Sequence, residues 1–172
     1  MAAQREVWLR GPIEGVPTLL QPVAHALVQA AEDAAALAAE LPDGALWARP
    51  GGAASAGFHL QHLDGVLDRM LTYARGDALS EAQFAALHAE GVPDEARTAE
   101  ALAAAFRQRV EGALGVLRAT DPATLTEPRG VGRAEIPQTV LGLLVHAAEH
   151  SQRHVGQLLV TVRVASAGPS TR

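Results

Sequence analysis

The stretch PQTVLGLLVHAAEHSQRHVGQLLVTVRV, residues 137–164, decides the reading of this chain. Its apolar residues do not alternate as in a half-buried strand. Val140, Leu144, Val155, Leu158, Leu159 and Val162 instead fall on one arc at ~100° per residue, the period of an amphipathic helix. Pro137 suits the first turn of such a helix, where its missing N–H costs nothing. The spacing predicts a helix from Pro137 to about Val164, with three histidines, His146, His150 and His154, at i, i+4 and i+8.

Working outward, three more long patterns share this period. Leu20, Val23, Leu27, Ala31, Ala34, Ala38 and Leu41 place a helix over about Thr18–Leu41, with Thr18 and Gln21 spaced as a capping box and Pro42-Asp43-Gly44 as its stop. Leu60, Leu63, Leu67, Met70, Leu71 and Ala74 place a second over about Ser55–Arg75, ended by Gly76. Leu102, Phe106, Val110, Leu114 and Leu117 place a third over about Thr98–Ala119, ended by Asp121-Pro122. Ser80 and Gln83 have capping-box spacing and predict a short helix in the connection Gly76–Arg97. Pro122–Glu135 reads as loop, and no run predicts a strand. Four long helices with one apolar stripe each can hide those stripes only against one another. The expected fold is all-α: an antiparallel four-helix bundle forming one domain over residues 1–172, with a long connection at Gly76–Arg97.

Composition narrows the function. The 172 residues are 48% hydrophobic and 19% charged, a globular balance. There is no cysteine, which excludes disulfides, thiolate metal sites and a cysteine nucleophile. All 14 basic residues are arginine, so a Schiff-base or phosphate-loop lysine is excluded. The net charge is −5 and the arginines are scattered, which argues against nucleic acid as a partner. The most apolar run, Val140–Val145, is far shorter than the ~20 residues of a membrane span. Met1–Arg10 lacks a secretory pattern, so a cytoplasmic location is expected, with no membrane partner.

Seven histidines stand out against this background. On the last helix His150 and His154 lie beside the apolar arc, one turn or ~6 Å apart, and His146 lies opposite it. Histidines at i, i+4 on one face can share a metal ion, whereas His146 and His154, ~12 Å apart along the axis, cannot. A further ligand must come from another helix. His59 and His62 on the second helix are the candidates, and the wheel places His59 closer to the apolar stripe. His25 and His88 carry no such signal.

The blocks Phe58-His59-Leu60-Gln61-His62-Leu63-Asp64-Gly65-Val66-Leu67-Asp68-Arg69 and His146-Ala147-Ala148-Glu149-His150-Ser151-Gln152-Arg153-His154-Val155-Gly156-Gln157 resemble the DinB-like superfamily. The resemblance implies a four-helix bundle with a three-histidine metal site. Its first-histidine pattern matches His62 and not His59; its second matches His150 and His154, followed by Gly156-Gln157. The ligands it implies are therefore His62, His150 and His154. It further implies relatives that transfer bacillithiol or mycothiol to electrophiles, and dimers, so a homodimer is expected here. Three imidazoles suit zinc or nickel and leave coordination positions open, the arrangement of a catalytic site that activates water or a thiol. Lacking cysteine, the chain would take that thiol from a low-molecular-weight cofactor. The expected activity is a metal-dependent thiol S-transferase or hydrolase; the alternative is a non-enzymatic metal- or small-ligand-binding bundle.

Three rival metal motifs fail on their residues. His146-Ala147-Ala148-Glu149-His150 has the inverted zinc-peptidase spacing, but that motif needs a distant glutamate ligand and a larger fold. The ordinary zinc-peptidase motif has glutamate where this chain has Ser151. A di-iron bundle needs glutamate three residues before each histidine, where Ala147 and Ser151 stand. No general base is identified; Asp64 and Glu149 point off the histidine face.

Overall fold

The computed structural model describes residues 5–167. Residues 1–4 of the Met1–Arg10 stretch and residues 168–172 lie outside the described residues. The fold is all-α apart from one small hairpin. Five α-helices occur among the described residues: α1 (Gln21–Glu40), α2 (Ala56–Ala74), α3 (Glu81–Ala89), α4 (Ala99–Ala119) and α5 (Val140–Ser166). Strands β1 (Pro128–Val131) and β2 (Ile136–Thr139) form an antiparallel pair between α4 and α5.

Helix starts follow side-chain chemistry. The hydroxyls of Ser55, Thr98 and Thr139 accept from the backbone N–H of Phe58, Ala101 and Gly142, which opens α2, α4 and α5. Ser80 and Gln83 form both halves of the capping box that starts α3. The apolar stripes then close on each other. Leu27, Leu60, Leu63, Leu67, Phe106, Leu117 and Leu158 are at most 1% exposed. Burial of such side chains is worth ~1.5–3 kcal/mol each and is the main force holding the four long helices together.

α2 packs between α4 and α5, and α1 packs between the same two on the opposite side. The directions follow from named contacts. Gln152 Nε2 donates to the Ala26 carbonyl and Arg163 pairs with Glu40, so α1 and α5 run the same way. His59 meets His154 and His62 meets His150, so α2 and α5 run oppositely. Trp47 Nε1 donates to the Asp94 carbonyl, which brings the end of α1 beside the start of α4. The bundle is antiparallel along α1/α4 and α2/α5 and parallel along the other two sides. The long connection through α3 makes this order possible, because it returns the chain to the end from which α2 set out.

Three local expectations are corrected. Residues 128–139, read as a loop running into a helix, contain the hairpin; its strands are four residues long with none of them buried, too short and too polar to show a period. Pro137 therefore lies in β2, opposite Gly130, where an edge strand tolerates its missing N–H, and Thr139 caps α5 instead. Thr18 and Gln21 form no capping box: Thr18–Leu20 is a 3₁₀ turn, and the Gln21 amide bonds Ile13 and the Val16 carbonyl. On α5, Leu159 is 41% exposed, because Ala147, Ala148 and Ser151 belong to the buried stripe and rotate it away from that leucine. No helix among the described residues is long and apolar enough to cross a membrane.

Candidate metal centre

On α2 the core takes Leu60, Leu63 and Leu67, which leaves His59 and His62 on the flank facing α5. On α5 the rotated stripe through Ala147, Ser151 and Val155 leaves His150 and His154 on the flank facing α2. Because the two helices run oppositely, the pairs interleave. His62 Nε2 lies 2.9 Å from His150 Nε2, and His59 Nδ1 lies 3.1 Å from His154 Nδ1. The His62 ring centroid is 4.3 Å from that of His154, which in turn is 4.6 Å from that of His150. One nitrogen from each of His62, His150 and His154 falls in a group in which all lie within 4.8 Å of one another. Phe58 stacks on the His62 ring at 5.3 Å and 13° and closes one side of the group.

The remaining histidines divide clearly. His59 is buried behind His154 and serves it through the Nδ1 contact. His146 is exposed and lies 3.3 Å from Glu149, which also pairs with Arg153. His146, Glu149 and His150 form a second group of possible ligands, open to water and sharing His150 with the first. His25 contacts the Gly11 carbonyl and His88 is exposed. Gln157, beside the family-like pattern, is exposed as well. Asp64 points to α4, where it holds Arg109.

Burial first, and a Coulombic contribution from His62 second, push the His59, His150 and His154 rings down to about 4. All three are neutral at neutral pH, the state in which an imidazole nitrogen can donate to a metal.

Sequence reading missed the residue behind His62. Glu90, the residue just past the end of α3, accepts from His62 Nδ1 through Oε2 at 2.6 Å and from Arg69 Nη1 through Oε1 at 2.7 Å. The carboxylate side chain is only 6% exposed and Arg69 only 7%. Burial alone would raise the Glu90 carboxyl, but the hydrogen bonds from His62 and Arg69 outweigh it and hold it below its ordinary value. Gly65 makes the contact possible. A Cβ there would sit 2.5 Å from Glu90 Oε1 and 2.7 Å from Arg69 Nη1. A glycine in mid-helix costs ~1 kcal/mol against alanine, so its presence in α2 was the one sequence signal of a close approach.

A model of the DinB superfamily matches residues 26–158. The chain belongs to the DinB superfamily. No curated protein matches it. The matched span starts inside α1 and ends inside α5, so it contains the four clustered histidines and Glu90 of this DinB-superfamily chain.

The residues of the site fit a divalent metal ion on their own chemistry. His150 Nδ1 is buried with no hydrogen-bond partner, an orphan of the kind buried polar groups rarely leave. His62 and His150 face each other nitrogen to nitrogen, at 2.9 Å. Neutral imidazole donors match ions of borderline softness.

Proposed function

We propose that this chain is a metal-dependent enzyme, a transferase or hydrolase, in which His62, His150 and His154 hold one divalent ion, zinc or nickel. The observation that carries this reading is the convergence of three imidazoles from two helices, with the His150 and His154 rings held neutral by burial. A bound ion would supply Lewis acidity, lowering the pKa of a coordinated water or external thiol so that it attacks at neutral pH. Three protein ligands leave room for that nucleophile, as catalytic sites do and closed structural sites do not.

The chain's own residues prepare the place. The leucine seams of α2 and α5 hold the two histidine flanks at fixed distance. Phe58 covers one ring face and keeps bulk water from that side. A cleft of about 280 Å³, lined by Arg49, Ser55, Phe58, Glu90 and Gly91, lies next to the site, since Phe58 and Glu90 both touch His62. The chain has no cysteine, so a thiol nucleophile arrives with a cofactor or substrate.

The test is metal analysis of untagged protein, followed by assays of low-molecular-weight thiols against model electrophiles. One equivalent of zinc or nickel per chain is expected, together with turnover. His150→Ala removes one of three ligands and should abolish metal binding. Its melting midpoint should stay within a few degrees, because the helices are held by buried leucines and not by the ion. Metal loss with collapse of the bundle would assign the ion a structural role, and metal retained in His150→Ala would overturn the ligand set.

A further inference from the structure

We propose that Glu90 is the positioning residue of the metal centre: anchored by Arg69 in the space left by Gly65, its carboxylate accepts Nδ1–H of His62 and so presents Nε2 of that ring to the ion. The inference rests on the ligand assignment proposed above and adds a residue that is not itself a ligand.

The tautomer follows from the contact. An ionised carboxylate only accepts, so the 2.6 Å approach of Glu90 Oε2 to His62 Nδ1 requires a proton on that nitrogen. A neutral ring then carries its lone pair on Nε2, the atom that faces His150 Nε2 at 2.9 Å. A hydrogen bond from the far nitrogen of a ligating histidine to a carboxylate fixes the ring's rotation and raises its basicity. Arg69 makes the arrangement rigid. It takes the second carboxylate oxygen, so Glu90 cannot rotate away without leaving a buried guanidinium unpaired.

The same reading gives α3 a purpose. None of its residues is buried, so it adds little to the core. It is instead tethered to α2: Gln83 donates to Asp68 and Thr72, and Gln61 accepts from the Gly91 N–H at 2.7 Å. These ties bracket Glu90 and set its carboxylate against His62. α3 is a strut whose working end is Glu90.

The experiment is a titration of metal-free protein with Co²⁺, whose visible absorption reports imidazole ligation, in the wild type and two variants. E90Q keeps the shape and removes the charge. The pair R69M/E90M removes both buried charges together, so neither is left alone and the bundle stays folded. Helical circular dichroism checks the fold, and ring ¹⁵N shifts report the His62 tautomer. Wild type is expected to bind one Co²⁺ and E90Q to bind it tenfold or more weakly. R69M/E90M is expected to lose at least as much and to show His62 as a mixture of tautomers. Wild-type affinity in both folded variants, or an unchanged His62 tautomer in R69M/E90M, would overturn the role of Glu90 and leave the ligand set standing. A wild type that takes up no Co²⁺, zinc or nickel would overturn the metal reading itself.

Discussion

Helix α2 takes part in two arginine–carboxylate clamps of similar length and different exposure. On the α3 side Arg69 holds Glu90 at 2.7 Å, with both side chains at most 7% exposed. On the α4 side Arg109 holds Asp64 at 3.0 Å and Asp68 at 2.8 Å, with side chains 29–38% exposed. The distances are alike. Solvent screens the second clamp, so its charges gain little from meeting and lose little when parted. The first is desolvated, so each charge depends on the other, and the carboxylate is free of competing water when it binds His62. Burial, more than ion-pair geometry, separates a carboxylate that organises a histidine from one that merely joins two helices.

The sharpest way to break this comparison is to cut each clamp once. E90A should cost about 3–5 kcal/mol in denaturant unfolding, because it leaves the Arg69 charge buried and alone. A loss below about 1 kcal/mol would mean that water reaches Arg69 and that the two clamps are alike.

Acid sharpens the same contrast in the metal-free protein. His59, His150 and His154 titrate near 4 when folded, against 6.5 for an ordinary ring, so the unfolded chain binds more protons between those values. Stability must therefore fall as pH drops from 6.5 toward 4, and be unaffected by these rings above 6.5. Thermal melts from pH 7 to 5, above the carboxylate range, should show the decline, and a folded H154Q should show less of it. A flat midpoint over that window would mean that the rings are solvated.

Smaller effects belong to the periphery. S80A removes the cap of α3 and should cost about 1 kcal/mol, while loosening the strut enough to weaken Co²⁺ binding measurably. R109A should cost the least, about 0.2–1 kcal/mol, and less still in high salt. A loss as large as that of E90A would show that the α2–α4 clamp is dry in solution.

Much of this molecule is legible along the chain because its order is local. Stripes such as Leu60, Leu63 and Leu67, caps such as Ser55, Ser80 and Thr98, and the one-turn spacing of His150 and His154 involve residues within a few positions of each other. Helical geometry turns such spacing directly into a face. The hairpin of β1 and β2 escaped because two short strands with no buried residue carry no period. The choice between His59 and His62 turned on a resemblance, since both sit near one flank of α2. Their division of labour, one facing His150 and the other behind His154, needs the opposing helix.

The sequence by itself determined that four apolar stripes must meet in a bundle, that any thiol must come from outside, and that two histidines one turn apart stand ready for a partner. Tertiary structure decided how they meet it: His62 faces His150, and His59 lies against His154. It also decided that Glu90, 28 residues along the chain from His62, lies behind that ring, and that Gly65 keeps the space open for it. The reason is physical. Helical period is a property of neighbours in sequence, whereas desolvation and the meeting of charges depend on which surfaces the fold presses together, and nothing in the spacing of Glu90 records that.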